Sequence, residues 1–193
     1  MLDTLLPRFP VPAEPCRVGD LSLILAPPAE MVSIGGFANS LDALREAVQR
    51  ELGTELPQAP CTLTTGQDLS ILWIGPEQWL VNAPAGSGLM NRLQGACGDY
   101  AALTSQTDSR ITLTLSGSYA RSTAAKLVPI DLHPRSFGLS SVALTLAGHI
   151  PVMLVQRSML PSYDFIVFRS LAHSLHHDIL TAMQGGIPES ERN

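Results

Sequence analysis

The sequence predicts an α+β fold in two related halves, each a helix pair packed on an antiparallel sheet. Three observations carry this. Short apolar segments recur between Gly and Pro breaks, as at Cys61–Thr65, Leu69–Ile74 and Val142–Ala147. Two longer segments repeat apolar residues at helical spacing. Both halves read strands, helix, strands, helix, and in each the last strand runs straight into the last helix.

The elements follow in order. Pro7, Pro10, Pro12 and Pro15 fall within residues 1–20. Proline fixes φ and removes a donor, so this stretch is expected to be an extended arm, free or laid across a neighbour. The first half is drawn at 21–99. Leu21–Leu25 is a strand stopped by Pro27-Pro28, and Met31–Ile34 leads into Gly35-Gly36. Ser40 reads as an N-cap, with Leu41, Leu44, Val48 and Leu52 on one helix face and Gly53 as the stop. Strands at 61–65 and 69–74 flank Gly66-Gln67, Trp79-Leu80-Val81 resumes as strand, and a helix covers Leu89, Leu93 and Cys97.

The second half is drawn at 100–184. Ile111, Leu113 and Leu115 alternate with Thr112, Thr114 and Ser116, the mark of a half-buried strand. Ser116 starts a helix reaching about Leu127, before Pro129. Val142–Ala147 and Val152–Gln156 flank Gly148, and Asp164–Phe168 is a strand. Ser170 caps a helix to Met183, and residues 185–193 form a polar, flexible tail. Ile71–Ile74 and Phe165–Phe168 are apolar throughout. Such strands need cover on both faces, from helices on one side and from the other half or a partner on the other.

Composition narrows the function. Apolar residues make up 45% of the 193 residues and charged residues only 15%, against about 25% in a typical globular chain. Little charge means that some surface is not meant for water, and a partner protein is the simplest cover. The alternative is a compact monomer with an uncharged Ser/Thr surface. A net charge of −5 and no basic run argue against nucleic acid. The start has no signal-peptide character, and the longest uncharged stretch, 136–156, is broken by Gly148, His149 and Pro151. Neither a membrane span nor export is therefore expected, and the chain is placed in the cytoplasm. Cys16, Cys61 and Cys97 have no metal spacing, so three free thiols are the default, with one disulfide left open.

No phosphate-binding or dinucleotide glycine motif and no nucleophile elbow is present. Gly86-Ser87-Gly88 and Ser116-Gly117-Ser118 read as helix entries. His173 and His177 share a helix face as zinc ligands can, but Ser174 stands where a metalloprotease needs glutamate, and an exposed polar face is the plainer reading. Asp131 lies two residues before His133 and could orient it as a base. A structural turn, with His133 extended before Pro134, is the plainer reading there. No catalytic, cofactor-binding or metal-binding residue is assigned.

Several segments in order resemble the gamma subunit of heterotetrameric sarcosine oxidase. They are Trp73–Leu80, Leu115–Arg121 and Ile130–Pro134, with Phe137, Thr145 and Val167–Ser170. The resemblance implies ferredoxin-like halves with antiparallel sheets, similar to the folate-binding domain of aminomethyltransferases. It implies a non-catalytic assembly subunit in a complex with alpha, beta and delta subunits. That complex oxidises sarcosine to glycine and hydrogen peroxide and passes the one-carbon unit to tetrahydrofolate. Its FAD, FMN, NAD, zinc and tetrahydrofolate would sit on the other subunits, with no cofactor in this chain. Trp73, Trp79, Arg121, Asp131, His133, Phe137, Arg169 and Ser170 are the family-motif or partner-facing candidates. Aminomethyltransferases carry an essential aspartate on a hairpin after a Gly-Gly turn. The matching stretch, Gly148–Leu154, has no carboxylate, and none occurs between Asp131 and Asp164. The alternative function is a free-standing folate-binding, aminomethyltransferase-like protein. The missing acid, low charge and proline arm favour the assembly subunit.

Overall fold

The computed structural model describes residues 9–158 and 160–185. Its core is four layers: helices, sheet, sheet, helices. The first sheet contains β3 (Ala29–Gly36), β4 (Leu63–Thr65), β5 (Ser70–Gly75), β6 (Gln78–Pro84) and β7 (Ala101–Ser105). The order is β4-β5-β6-β3-β7 with antiparallel pairing throughout. Helices α1 (Leu41–Leu52) and α2 (Leu89–Cys97) cover one face. With β4 set aside, this is the βαββαβ order of a ferredoxin-like unit.

The second sheet contains β1 (Cys16–Val18), β2 (Leu21–Leu25), β8 (Arg110–Ser116), β9 (Val142–Ala147), β10 (Ile150–Ser158) and β11 (Ser162–Phe168). Its order is β1-β2-β8-β11-β10-β9. Helices α3 (Ala120–Ala124) and α4 (Ala172–Gln184) cover its outer face. The unit β8-α3-β10-β11-α4 lacks a strand after its last helix. β2 stands in that place, antiparallel to β8 with Leu23 opposite Leu115.

The inner faces meet in a third apolar cluster. Met31, Leu63, Leu72 and Leu80 of the first sheet pack on Val142, Met153, Val155 and Ile166 of the second. Alternation explains it: Ile71 faces the helices and Leu72 the other sheet, and Phe165 and Ile166 divide likewise. The two all-apolar strands thus have helices on one face and the opposite half on the other, except at Phe168, which is 39% exposed. At one end of the inner face Asp164 accepts from Thr114 Oγ1 at 2.6 Å and pairs with Arg157.

At the ends of α1, Ser40 occupies the N-cap position but makes no side-chain cap bond, and Gly53 ends the helix at φ 68°, its N–H bonded to Gln49 O. Gly36 is needed for close approach, since a Cβ there would lie 2.7 Å from Leu41 Cδ2. The N-terminus of α2 is held from a distance. Glu30 accepts from the N–H groups of Leu89, Gly86 and Gly88 and from Ser87 Oγ. The Leu89 amide chiefly holds the Glu30 carboxyl below its ordinary range.

Three sequence expectations are corrected. The division at 99/100 does not follow the sheets, because β2, drawn in the first half, pairs in the second sheet, and β7, drawn in the second, pairs in the first. Local alternation makes a strand but does not choose its neighbour. The proline-rich arm over 1–20 is not free along its described part: Val11 is buried in the second core and Cys16–Val18 is β1. Its first eight residues lie outside the described ones. The helix expected from Ser116 to Leu127 is only Ala120–Ala124. Gly117, at φ 125°, separates Ser116 from it, and i→i+3 bonds to Lys126 and Leu127 tighten its end. The tail expected over 185–193 falls, apart from Gly185, outside the described residues. Among the described residues no helix is long and apolar enough to cross a membrane.

Candidate functional site

The segments singled out by sequence resolve into turns and anchors. Trp73–Leu80 is the β5–β6 hairpin, with Trp73 and Trp79 as cross-strand partners and Glu77 at φ 58° in the turn. Trp79 is 4% exposed, and its Nε1–H donates to Pro57 O at 2.9 Å. Trp73 is half-buried against the same core. Leu115–Arg121 spans the end of β8, the Gly117 turn and the start of α3. There Asp20 Oδ2 accepts from the Ser118 N–H at 2.7 Å and from the Ser118 hydroxyl, tying the β1–β2 turn to α3. Arg121 Nε donates to the Tyr163 hydroxyl at 3.3 Å. Phe137 is 5% exposed and stacks on Tyr163 with ring centroids 6.5 Å apart. Trp79 and Phe137 therefore face the chain's own cores, not a partner.

Asp131 and His133 do not form an acid–base pair. Asp131 Oδ1 accepts from the His133 backbone N–H at 2.9 Å, and Oδ2 from Ser136 Oγ at 2.6 Å. His133 Nδ1 accepts from the Arg135 N–H at 3.2 Å. Both residues are exposed, and their polar atoms hold a turn. The Ser136 hydroxyl chiefly keeps the Asp131 carboxyl below its usual range. Ser170 is exposed and Arg169 half-buried at the end of β11. His173 and His177 are exposed on α4. Among the described residues no three His, Cys, Asp or Glu side chains come together as a metal set. Gly148, at φ 59°, turns β9 into β10, and the hairpin strands carry no acid.

His176, passed over in the sequence, is 8% exposed, and its Nε2 lies 3.8 Å from Cys16 Sγ, where β1 meets α4. Burial, then the charges of His173 and His177, push its pKa below the ordinary 6.5. The unfolded chain therefore binds this proton at higher pH than the folded one. The associated stability is complete above about pH 6.5 and is lost as pH falls toward the folded value. Melting temperature should fall between pH 7 and 5, and His176→Leu should flatten that fall. The depressed carboxylates Asp20, Glu30 and Asp131 act in a lower window, below their ordinary 3.8–4.5. An unchanged slope in the variant would contradict the assignment.

The sequence also missed a surface on the inner face of the second sheet. Beyond the rim of the first sheet this face stays open. Leu144, Leu146 and Phe168 are 49%, 45% and 39% exposed. They border a groove of about 360 Å³ with Pro151, Met153 and Arg110. On the other side of Arg110 lies a cleft of about 270 Å³ between the sheets, lined by Phe9, Pro27, Met31, Thr112 and Arg169. The signal was present as the alternation of Leu144 and Leu146 about Thr145, which reads the same for a covered face as for an open one.

A family model described as the sarcosine oxidase gamma subunit family matches residues 36–182. A sarcosine oxidase subunit gamma from Arthrobacter sp is 34% identical over 69% of this chain and 66% of its own length. One from Corynebacterium sp. (strain P-1) is 38% identical over 62% of this chain and 56% of its own. The chain thus spans less than two-thirds of the length of these curated relatives. A chain of the solved heterotetrameric sarcosine oxidase from Corynebacterium sp. U-96 superposes with a TM-score of 0.81, 26% identity and coverage of 92% and 91%. An aminomethyltransferase of the glycine cleavage system from Bartonella henselae shares the fold, with a TM-score of 0.63, 12% identity and coverage of 84% and 46%.

Proposed function

This chain belongs to the sarcosine oxidase gamma subunit family, and we propose that it is the assembly subunit of a heterotetrameric sarcosine oxidase, without a catalytic centre of its own. The observation that carries the assembly role is the open apolar end of the second sheet, where Leu144, Leu146 and Phe168 stand in solvent. Apolar surface costs about 25 cal/mol per Å² left in water, and permanent partners are the economical cover for it. The candidate acid–base residues support the same reading, because Asp131 and His133 spend their polar atoms on a local turn.

In this reading the partners are the alpha, beta and delta subunits, located with this chain in the cytoplasm. They hold the FAD, FMN, NAD, zinc and tetrahydrofolate with which the complex demethylates sarcosine to glycine and hydrogen peroxide. This chain holds none of these groups and buttresses the subunits that do. Arg169 and Ser170, at the exposed end of β11, are its partner-facing candidates.

Co-expression with the three partners is expected to give one flavin-loaded complex that oxidises sarcosine. Omitting this chain should lower the yield or stability of that complex. Ala substitution of Asp131, His133, His173 or His177 should leave turnover of assembled complex within a few-fold, since a true general acid or base is worth about 10²–10⁴-fold. A hundredfold loss in a fully flavinylated complex would place catalysis in this chain. Normal assembly without the chain would remove its role.

A further inference from the structure

The open face carries a charge as well as apolar side chains. Leu146 lies opposite Pro151 across β9–β10, Leu144 opposite Met153, and Phe168 opposite Arg110 across β11–β8. These positions share the inner face of the second sheet. Met153 and Ile166 are covered by the first sheet, while Leu144, Leu146 and Phe168 extend beyond it. Here the sheet presents a surface of core composition with no layer on top.

Arg110 closes one side of this surface. Its guanidinium carbon lies 4.2 Å from the centre of the Phe168 ring, over its face, which keeps the charge beside the apolar patch. Its Nε is buried and has no hydrogen-bond partner. Among the described residues no carboxylate comes within 4.0 Å of its guanidinium, although Asp108 lines the adjoining cleft. Thr112, next along the same face of β8, is 7% exposed, and its Oγ1 also lacks a partner. Burial lowers the Arg110 pKa, so the cation has been drawn partly out of water without an anion in return. A desolvated guanidinium and a buried hydroxyl are rarely left without acceptors, and a forked guanidinium suits a carboxylate best.

Resting on the assembly reading above, we propose that the Leu144–Leu146–Phe168 face, with Arg110 at its edge, docks a segment of a partner subunit that carries a carboxylate among apolar side chains. The apolar residues of that segment cover Leu144, Leu146 and Phe168. Its carboxylate reaches the Arg110 guanidinium at the edge of the groove. Charge complementarity selects this occupant, because a purely apolar segment would bury the Arg110 cation unpaired, and a basic one would repel it.

The test uses the assembled complex. A photoreactive benzoylphenylalanine at Leu146 is expected to cross-link to one partner peptide containing Asp or Glu among apolar residues. The same probe at Gln49, on α1, should not. Arg110→Gln is expected to weaken binding of this chain to its partners at least tenfold and to flatten the salt dependence, with Arg110→Lys in between. Leu146→Asp, at an exposed position that leaves the core intact, should weaken binding comparably. Melting curves of the free variants separate lost docking from lost folding. Wild-type affinity and salt dependence in folded Arg110→Gln would overturn the proposal. So would a Leu146 cross-link, in a complex that forms, to this chain itself, to a second copy or to nothing. Failure of any complex to form would overturn the assembly reading, and this inference with it.

Discussion

Trp79→Ala is expected to cost the chain about 3–5 kcal/mol, the range for removing a large aromatic from a packed core. The side chain is 4% exposed and sits in the core between the first sheet and α1–α2. Its ring comes within 3.4 Å of where a Gly36 Cβ would stand, beside Leu41 and Leu44 of α1. The cost within that range depends on how far the surrounding side chains relax into the vacated space. The Nε1–H bond to Pro57 O adds a second loss, since it fixes the chain leaving α1. Trp79→Phe keeps most of the ring and loses the bond, and should cost about half as much. At roughly 2–4 °C per kcal/mol for a chain of this size, thermal unfolding followed by circular dichroism separates the two. A fall of less than about 2 °C for Trp79→Ala would show that the ring does not brace this unit.

Gly117→Ala should be nearly as damaging, for a different reason. The backbone there has φ 125°, which L side chains rarely adopt. A Cβ would lie 2.6 Å from Asp20 O and 3.0 Å from Leu21 Cα, both main-chain atoms that cannot swing aside. The β1–β2 turn would have to move, and the Asp20–Ser118 bonds would go with it. Strained backbone costs about 1–3 kcal/mol per site, and with the clash a total of about 3–4 kcal/mol is expected. Gly53→Ala is the control: φ is 68° but nothing lies within 4 Å of a Cβ, so conformation alone acts and about 1 kcal/mol is expected. Equal losses at the two glycines would show that the contact with Asp20 and Leu21 is not limiting.

Much of the fold was legible because its signals are local. Helical spacing placed α1 and α4, Gly53 marked a C-terminus, and Gly148 marked the β9–β10 turn. The all-apolar strands announced a layer on each face, and the structure supplies one except over Phe168. Sheet membership was not legible. Leu21–Leu25 alternates equally well in either sheet, and β7, with Ala101-Ala102, has little strand signal of its own. β1 was hidden by the prolines that precede it, since Pro12 and Pro15 spoil any pattern over so short a strand. The family segments were visible as sequence, and the turn at Asp131 was readable from it, but Trp79 and Phe137 were not recognisable as core anchors. The open face escaped notice because exposure beyond a rim is decided by the size of the opposing layer, which no single strand encodes.

The exchanged strand β2 gives the molecule a nested order of synthesis. β2 leaves the ribosome early, with Leu21 and Leu23 ready for burial. It can pair at once with β1 on one edge, but the strand that takes its other edge, β8, comes only after the whole first unit. Translation runs at about 5–20 residues per second, so the β1–β2 hairpin waits for seconds with one edge open while β3 to β7 form a unit beside it. The first unit is therefore a parenthesis inside the second. It can close on itself as soon as it is made, whereas the second closes only when both of its separated parts exist. During that interval the apolar side chains of β2 are open to any other strand, which makes this the stage at which the nascent chain most needs shelter.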